Sequence, residues 1–308
     1  MELPVDDRGF VRRAAALDLG FTDDALSTLT ARGELEHLGH GDYVHAERLP
    51  DGPRRGDVKY RLRCIAFATS GRGAPPTLSH ESAAALHGLR LLKPSHTDIH
   101  LLSGPHGRGM HRHRRHIHQG TVDDSQALVV DGVRVTSLAR TAIDVACSTT
   151  FAGALTVLDS AIDLGTGRDA LTMELERTRR IGSSVARRAL HHASGLSESV
   201  GESWSRAQLI HAGIEVPELQ VWYDIGGRRD CRVDFDWHRR LVGEFDGLKK
   251  YGRSLRRSGE SVEDVVIREK TREDRLRALG VMVIRWTWAD LESGRLPNLV
   301  RPWLRRLT

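Results

Sequence analysis

Cysteine is scarce in this chain of 308 residues, which has three: Cys64, Cys147 and Cys231. They are odd in number and far apart. That argues against a disulfide framework and a cysteine zinc site, and fits a reducing cytoplasm. Long apolar runs are missing too: no stretch approaches the roughly 18 apolar residues of a membrane span, so no membrane partner is expected. The opening MELPVDDRGF lacks a basic segment followed by an apolar one and is not expected to act as a secretory signal. No internal repeat or low-complexity tract is found. Hydrophobic residues make up 39% and charged residues 28%. That is enough apolar content for real cores and excludes disorder throughout. The length suggests about two domains as a starting expectation.

The formal net charge is +5, and its distribution says more than its total. Residues 1–60 carry a net −4, residues 61–196 a net +6 and residues 197–308 a net +3. A mildly basic chain with an acidic N-terminal segment points only weakly to nucleic acid.

The residue pattern predicts a mixed α+β chain. Val11, Ala15 and Leu19 are spaced for one helix face, ended by Gly20. Thr22 is a good N-cap for a second helix over Asp23–Ala31. Two short strands, around Glu34–Leu38 and Tyr43-Val44, complete a helix–turn–helix–strand–strand outline, that of a winged helix-like unit. After the turn-rich DGPRRG (51–56), a helix is expected over Asp57–Ser70 and a shorter one capped by Ser79. Strands are expected at 97–102, 115–118 and 127–135, the last folded back at Asp131-Gly132. Helices follow at 138–147, 151–164 and Leu171–His192, and Gly195 marks a boundary. The last third reads as helix Glu198–Ala212, strand Leu219–Ile225, strands Cys231–Trp237 and Leu241–Asp246, helix Asp264–Leu279, strand Val281–Trp286 and two short helices.

The chemistry concentrates in RVDFDWHRRLVGEFDG, residues 232–247. Side chains alternate along a strand, so Val233, Phe235 and Trp237 are expected on one face and Asp234 and Asp236 on the other. Glu244 and Asp246 share a face of the next strand. The short link His238-Arg239-Arg240 makes the strands neighbours, so Asp234 can lie beside Glu244 and Asp246. Three or four carboxylates on one face repel each other. A hard divalent cation with oxygen ligands would offset that cost, and it would activate water and neutralise a phosphate. The plain alternative is an antiparallel pair with one solvated polar face.

This arrangement resembles the PD-(D/E)xK endonuclease superfamily. Residues 196–290 are similar in particular to its very-short-patch-repair (Vsr-like) branch: Gly201-Glu202-Ser203 on a helix, Val233-Asp234-Phe235 on a strand, Glu244-Phe245-Asp246-Gly247 on the next, then REKTREDRLRALG and VMVIRW. The resemblance implies that Asp234 and Glu244 are the main ligands of Mg²⁺ (or Mn²⁺). Asp246 would be a third ligand or hold a metal-bound water, and Glu202 would reach the same site. Asp246 stands where the superfamily carries Lys. A displaced Lys is available at Lys249, Lys250 or Lys270, and Lys270 lies on the following helix. For Glu202 the alternative is a surface pair with Arg206, and for Lys270 a pair with Glu273 or Asp274. Arg253, Arg256 and Arg257 form a basic loop beside the acids that would contact nucleic-acid phosphates.

Residues 1–190 resemble actinobacterial proteins related to the AbiEi antitoxin of type IV toxin–antitoxin systems. The similar pieces are the unit ending in GHGDYV, the segment SHESAAALHGL, and VDGVRVTSLARTAIDVA. This implies a DNA-binding N-terminal domain and a toxin as a partner. Arg12, Arg13 and Arg32 are the obvious phosphate contacts there, ahead of Arg54 and Arg55.

Other motifs fail. His80-Glu81 is no zincin start, because Ala84 stands where the second His belongs. Gly165-x-Gly167-x-x-Ala170 follows a helix, so it is no dinucleotide loop. The run HGRGMHRHRRHIH (106–118) offers His111, His113, His116 and His118 to a metal. Arg residues interrupt it and no Cys or carboxylate lies in it, so a basic loop entering a strand is the reading preferred.

The expectation is therefore an α+β protein of three parts: a winged helix-like domain (1–56), a mixed α/β, AbiEi-like middle domain (57–195) and a restriction-endonuclease-like domain (196–308) with a central mixed sheet flanked by helices. The expected function is a metal-dependent DNA endonuclease, with RNA as an alternative substrate. The alternative of another class is a catalytically inactive DNA-binding regulator of antitoxin type.

Overall fold

A computed structural model describes residues 2–71, 75–104, 107–123, 126–177, 179–225, 229–247 and 262–307. The chain is mixed α+β and folds as two compact units. One comprises Met1–Leu89 and Lys93–Val145, the other Arg90–Leu92 and Ala146–Thr308. The division at 56 and 195 remains a reading of the sequence. No helix among the described residues is long and apolar enough to cross a membrane.

The first unit begins with β1 (Phe10–Arg12), α1 (Arg13–Asp18), α2 (Asp23–Ala31), β2 (Leu35–Gly39) and β3 (Asp42–His45). The helix expected through Val11, Ala15 and Leu19 is displaced. Residues 10–12 pair with Val44, Tyr43 and Asp42 as a third strand, giving the order β1-β3-β2. Val11 and Ala16 are buried while Leu19 is exposed. Thr22 caps α2 as expected, its hydroxyl accepting the Ala25 N–H. Next come α3 (Arg55–Ser70), α4 (His80–His87), β4 (Ile99–Leu102), β5 (Met110–Arg112), β6 (Arg115–His118), β7 (Ala127–Val130) and β8 (Val133–Thr136). They make a three-stranded sheet, β4-β6-β5, and a hairpin, β7-β8. Leu78 bridges both, at Leu101 and at Val135. Asp131 and Gly132 turn the hairpin with φ of 51° and 69°, the left-handed pair that a tight two-residue connection requires.

Helix α5 (Leu138–Cys147) contains the boundary between the units. Helices α6 (Phe151–Asp163), α7 (Arg168–Arg177) and α8 (Ser183–His192) follow. A single helix over Leu171–His192 does not form. Gly182 sits at φ +81°, and a Cβ there would overlap the Cys147 carbonyl, so the chain turns where only glycine fits.

The rest of the second unit is α9 (Val200–His211), β9 (Glu218–Asp224), β10 (Arg229–Trp237), β11 (Leu241–Asp246), α10 (Val262–Ala278), β12 (Met282–Thr287), α11 (Trp288–Glu292) and α12 (Leu296–Leu304). The sheet order is β12-β11-β10-β9, with β11 and β12 parallel and the other pairs antiparallel. Two cores form. Phe235, Trp237, Leu241, Phe245 and Trp286 pack with Leu209 of α9 and Val300 of α12. Tyr223, Cys231, Val233 and Val242 pack with Leu276 of α10. All six tryptophans of the chain, Trp204, Trp222, Trp237, Trp286, Trp288 and Trp303, belong to this unit.

Helix α6 carries a buried charge that fixes α9. Asp159 takes Arg206 Nη1 at 2.8 Å, Ser203 Oγ at 2.8 Å and the Ser194 N–H at 2.7 Å. The Asp159 carboxylate is compensated by the Arg206 charge and by these hydrogen bonds, which offset the cost of burying it, while Arg206 Nε has no hydrogen-bond partner among the described residues.

Candidate functional site

Strict alternation puts Val233, Phe235 and Trp237 on one face of β10. The structure breaks that pattern at Asp234. Val233 joins the core beside α10, whereas Phe235 and Trp237 join the core beside α9. The neighbouring strand changes phase at the same height, because Gln220 has φ +54°. Val221 and Leu219 accordingly join different cores. A left-handed non-glycine residue is costly, and such strain gathers where geometry is over-determined by its surroundings. Asp234 thus leaves the regular ladder, and its carboxylate accepts the Phe245 N–H at 2.9 Å.

Glu202 reaches this point from α9. Ser199 is the N-cap, and its hydroxyl accepts the Glu202 N–H at 3.2 Å and donates to Oε1 at 2.6 Å. The Glu198 N–H and Gln220 Nε2 bond Oε2 at 2.9 and 3.0 Å. Ser199 thus caps α9 through its hydroxyl, while the Glu202 carboxylate reaches back to the Glu198 N–H, one residue before the N-cap; Ser199 as an N-cap was legible in the sequence and missed there. The pair with Arg206 does not form, because Arg206 is turned to Asp159. Burial, and then the charge of Asp234, push the Glu202 carboxyl up to about 7. Asp234 is thus near enough for its charge to act on Glu202.

Glu244 is 2% exposed, so this face of the hairpin is not an ordinary solvated one. Its two oxygens are taken by Arg272 of α10 and by Arg285 Nε of β12, the latter at 3.0 Å. Arg285 faces Glu244 directly in the parallel register. Both arginines are part of the site, and the sequence reading passed them over for Lys270. Their charges were legible in REKTREDRLRALG and VMVIRW, but their partner was not. Lys270 lies exposed on α10, and Glu273, its expected partner, pairs with Arg277 and Arg285. Asp236 serves the fold: it is 2% exposed, takes the Tyr223 hydroxyl and accepts the Arg239 N–H at 2.8 Å, which secures the turn to β11.

Asp246 ends β11. Its Oδ1 is buried and has no hydrogen-bond partner among the described residues. A buried carboxylate oxygen of this kind calls for a cation or a donor. No three of Glu202, Asp234, Glu244 and Asp246 bring their oxygens close enough together to hold one ion, and both oxygens of Glu244 are held by arginines. Arg253, Arg256 and Arg257, with Lys249 and Lys250, lie outside the described residues.

No protein-family model matches the chain. It is similar to uncharacterized proteins of two Mycobacterium tuberculosis strains, CDC 1551 / Oshkosh and ATCC 25618 / H37Rv, with 31% identity over 172 residues in each case. The match covers 54% of this chain and 60% of each relative.

Proposed function

We propose that residues 196–308 form a divalent-cation-dependent phosphodiesterase of the Vsr-like, restriction-endonuclease-like type, acting on DNA. The observation that carries this is the buried, unpartnered Asp246 oxygen at the end of the strand whose Phe245 N–H is held by the Asp234 carboxylate. The order of elements is that of the resemblance. Asp234 and Asp246 would hold Mg²⁺ or Mn²⁺. Such an ion supplies charge neutralisation at a phosphate and an acidified water. Glu202, with its carboxyl near 7, is suited to hold or release a proton at neutral pH. The test is supercoiled plasmid with Mg²⁺ or Mn²⁺, using wild type, Asp234→Asn and Asp246→Asn. Nicking by wild type alone supports the proposal, and equal behaviour of all three rejects it.

A second reading is favoured by one observation: Glu244 is already neutralised by two arginines. In that case the domain is an inactive nuclease fold in a DNA-binding regulator of antitoxin type, with a winged helix-like N-terminal part and a toxin partner. It predicts a gel shift on the upstream region of its own gene, unchanged by Asp234→Asn, and no cleavage. Binding to DNA in either case should weaken steeply with salt.

A further inference from the structure

Sheet β4-β6-β5 of the first unit brings histidines from separate strands to one place. The parallel register pairs His100 with His116 and Leu102 with His118, and the antiparallel register pairs His111 with His116. His116 and His118 stand two apart on β6 and so share a face, and His100 shares it from the neighbouring strand. His80, the first residue of α4, lays its ring on His118 with centroids 3.5 Å apart. The His116 and His118 rings stack at 3.9 Å, and His100 Nδ1 lies 2.9 Å from His118 Nε2. One nitrogen each from His100, His116 and His118 falls within 4.8 Å of the others. Among the described residues this is the one group of three His, Cys, Asp or Glu side chains placed closely enough to hold an ion. Where the sequence suggests a basic loop entering a strand over residues 106–118, Met110–Arg112 is itself a strand paired with Arg115–His118. His113 and Arg114, both at positive φ, form the turn, while His116 and His118 belong to the cluster.

We propose that His100, His116 and His118 form a binding site for a transition-metal ion of borderline softness, with Zn²⁺ the first candidate. Three imidazole nitrogens without a carboxylate or thiolate suit Zn²⁺, Co²⁺, Ni²⁺ or Cu²⁺ and do not suit Mg²⁺. The site is thus chemically separate from the carboxylates of the second unit. Tetrahedral ligands at about 2.0–2.1 Å from zinc lie roughly 3.3 Å apart, so the His100–His118 nitrogens need to part by only a few tenths of an ångström. In the metal-free pair one of these two nitrogens carries the shared proton. Ligation needs a lone pair on both, and the proton passes to the other nitrogen of the same ring, so the imidazoles stay neutral. The His80 ring, stacked on His118, is a positioning group. His111 Nε2 bonds Asp98 Oδ2 at 2.8 Å, and its ring meets His116 edge-on at 5.4 Å. This pair lies beside the cluster and is not part of the proposed ligand set. Three protein ligands leave a fourth coordination position for water or an exogenous ligand.

The test is a Co²⁺ titration of the untagged, chelator-treated full-length protein, followed by visible absorption and then by displacement with Zn²⁺. One equivalent of Co²⁺ should give the absorption of nitrogen-ligated cobalt, and one equivalent of Zn²⁺ should abolish it. Asp234→Asn should leave this unchanged, and the double variant His100→Gln/His118→Gln should bind at least tenfold more weakly. As a check that does not depend on the variants folding, Zn²⁺ added to the wild type should shift the imidazole ¹⁵N resonances of His100, His116 and His118 and leave those of His45 and His211 in place. Absence of a cobalt band, equal binding by the double variant, or zinc shifts at His45 or His211 in place of the three would each overturn the assignment.

Discussion

The Asp234 carboxylate accepts the Phe245 N–H at 2.9 Å where the ladder between β10 and β11 ends; the last regular pair is Phe235 with Gly243. A side chain takes the place of a backbone carbonyl there, so Asp234 holds the strand end as well as offering charge. Asp234→Asn keeps an acceptor, and Asp234→Ala leaves the amide unsatisfied. The Ala variant is therefore expected to lose about 1–3 kcal/mol of stability and the Asn variant less. Urea unfolding followed by far-ultraviolet circular dichroism measures the difference.

Glu244 is buried, and its two arginine partners are partly exposed. Removing Arg272 leaves Glu244 under-compensated. Arg272→Ala is expected to destabilise by about 1–3 kcal/mol, since Arg285 still holds one Glu244 oxygen, and the double variant Glu244→Gln/Arg272→Met by less, because the buried carboxylate charge is then gone. Equal losses in the two, by the same unfolding measurement, would show that packing and not charge governs this position.

Glu202 gives a pH dependence of known sign. Its folded carboxyl is raised from 4.5 to about 7, so the folded chain holds this proton more tightly than the unfolded one. Its contribution to stability is complete below about 4.5 and is lost as the pH rises through about 7. The full difference is on the order of 3 kcal/mol. Wild type should therefore lose more stability than Glu202→Gln between pH 5 and 8 in a chelating buffer, and parallel pH profiles would refute this.

Two glycines of the second unit are there for closeness. A Cβ on Gly201 would overlap the Phe245 ring, and one on Gly243 would overlap the Trp286 ring. Gly201→Ala and Gly243→Ala should each cost about 1–3 kcal/mol. Gly213→Ala is a control of another kind: nothing lies within 4 Å of its Cβ position, and the cost there comes only from its φ of +64°. Thermal melts of the three variants rank these effects.

Local rules read much of this fold. Strands 115–118 and 241–246 have the limits that their alternation indicates, and Asp131-Gly132 turns a hairpin. The failures are non-local. Strand β1 exists because β3 offers it an edge, and the faces of β10 change because Gln220 on another strand adopts a left-handed backbone. The acids of the candidate site were visible as residues, but what each one touches was not. Arg272 and Arg285 lie 28 and 41 positions from Glu244, and no spacing rule links them. The histidine cluster depends on the parallel pairing of His100 with His116, which follows from chain topology and leaves no period in the sequence.

The confinement of every tryptophan to the second unit has a practical consequence. Intrinsic tryptophan emission reports on residues 90–92 and 146–308 alone, with Trp237 and Trp286 fully buried within it, whereas the amide bands report on the whole chain. One unlabelled sample thus carries two separate reporters. If the two melting midpoints coincide, the units unfold as a single cooperative block; if they part, the gap measures how independently each half stands.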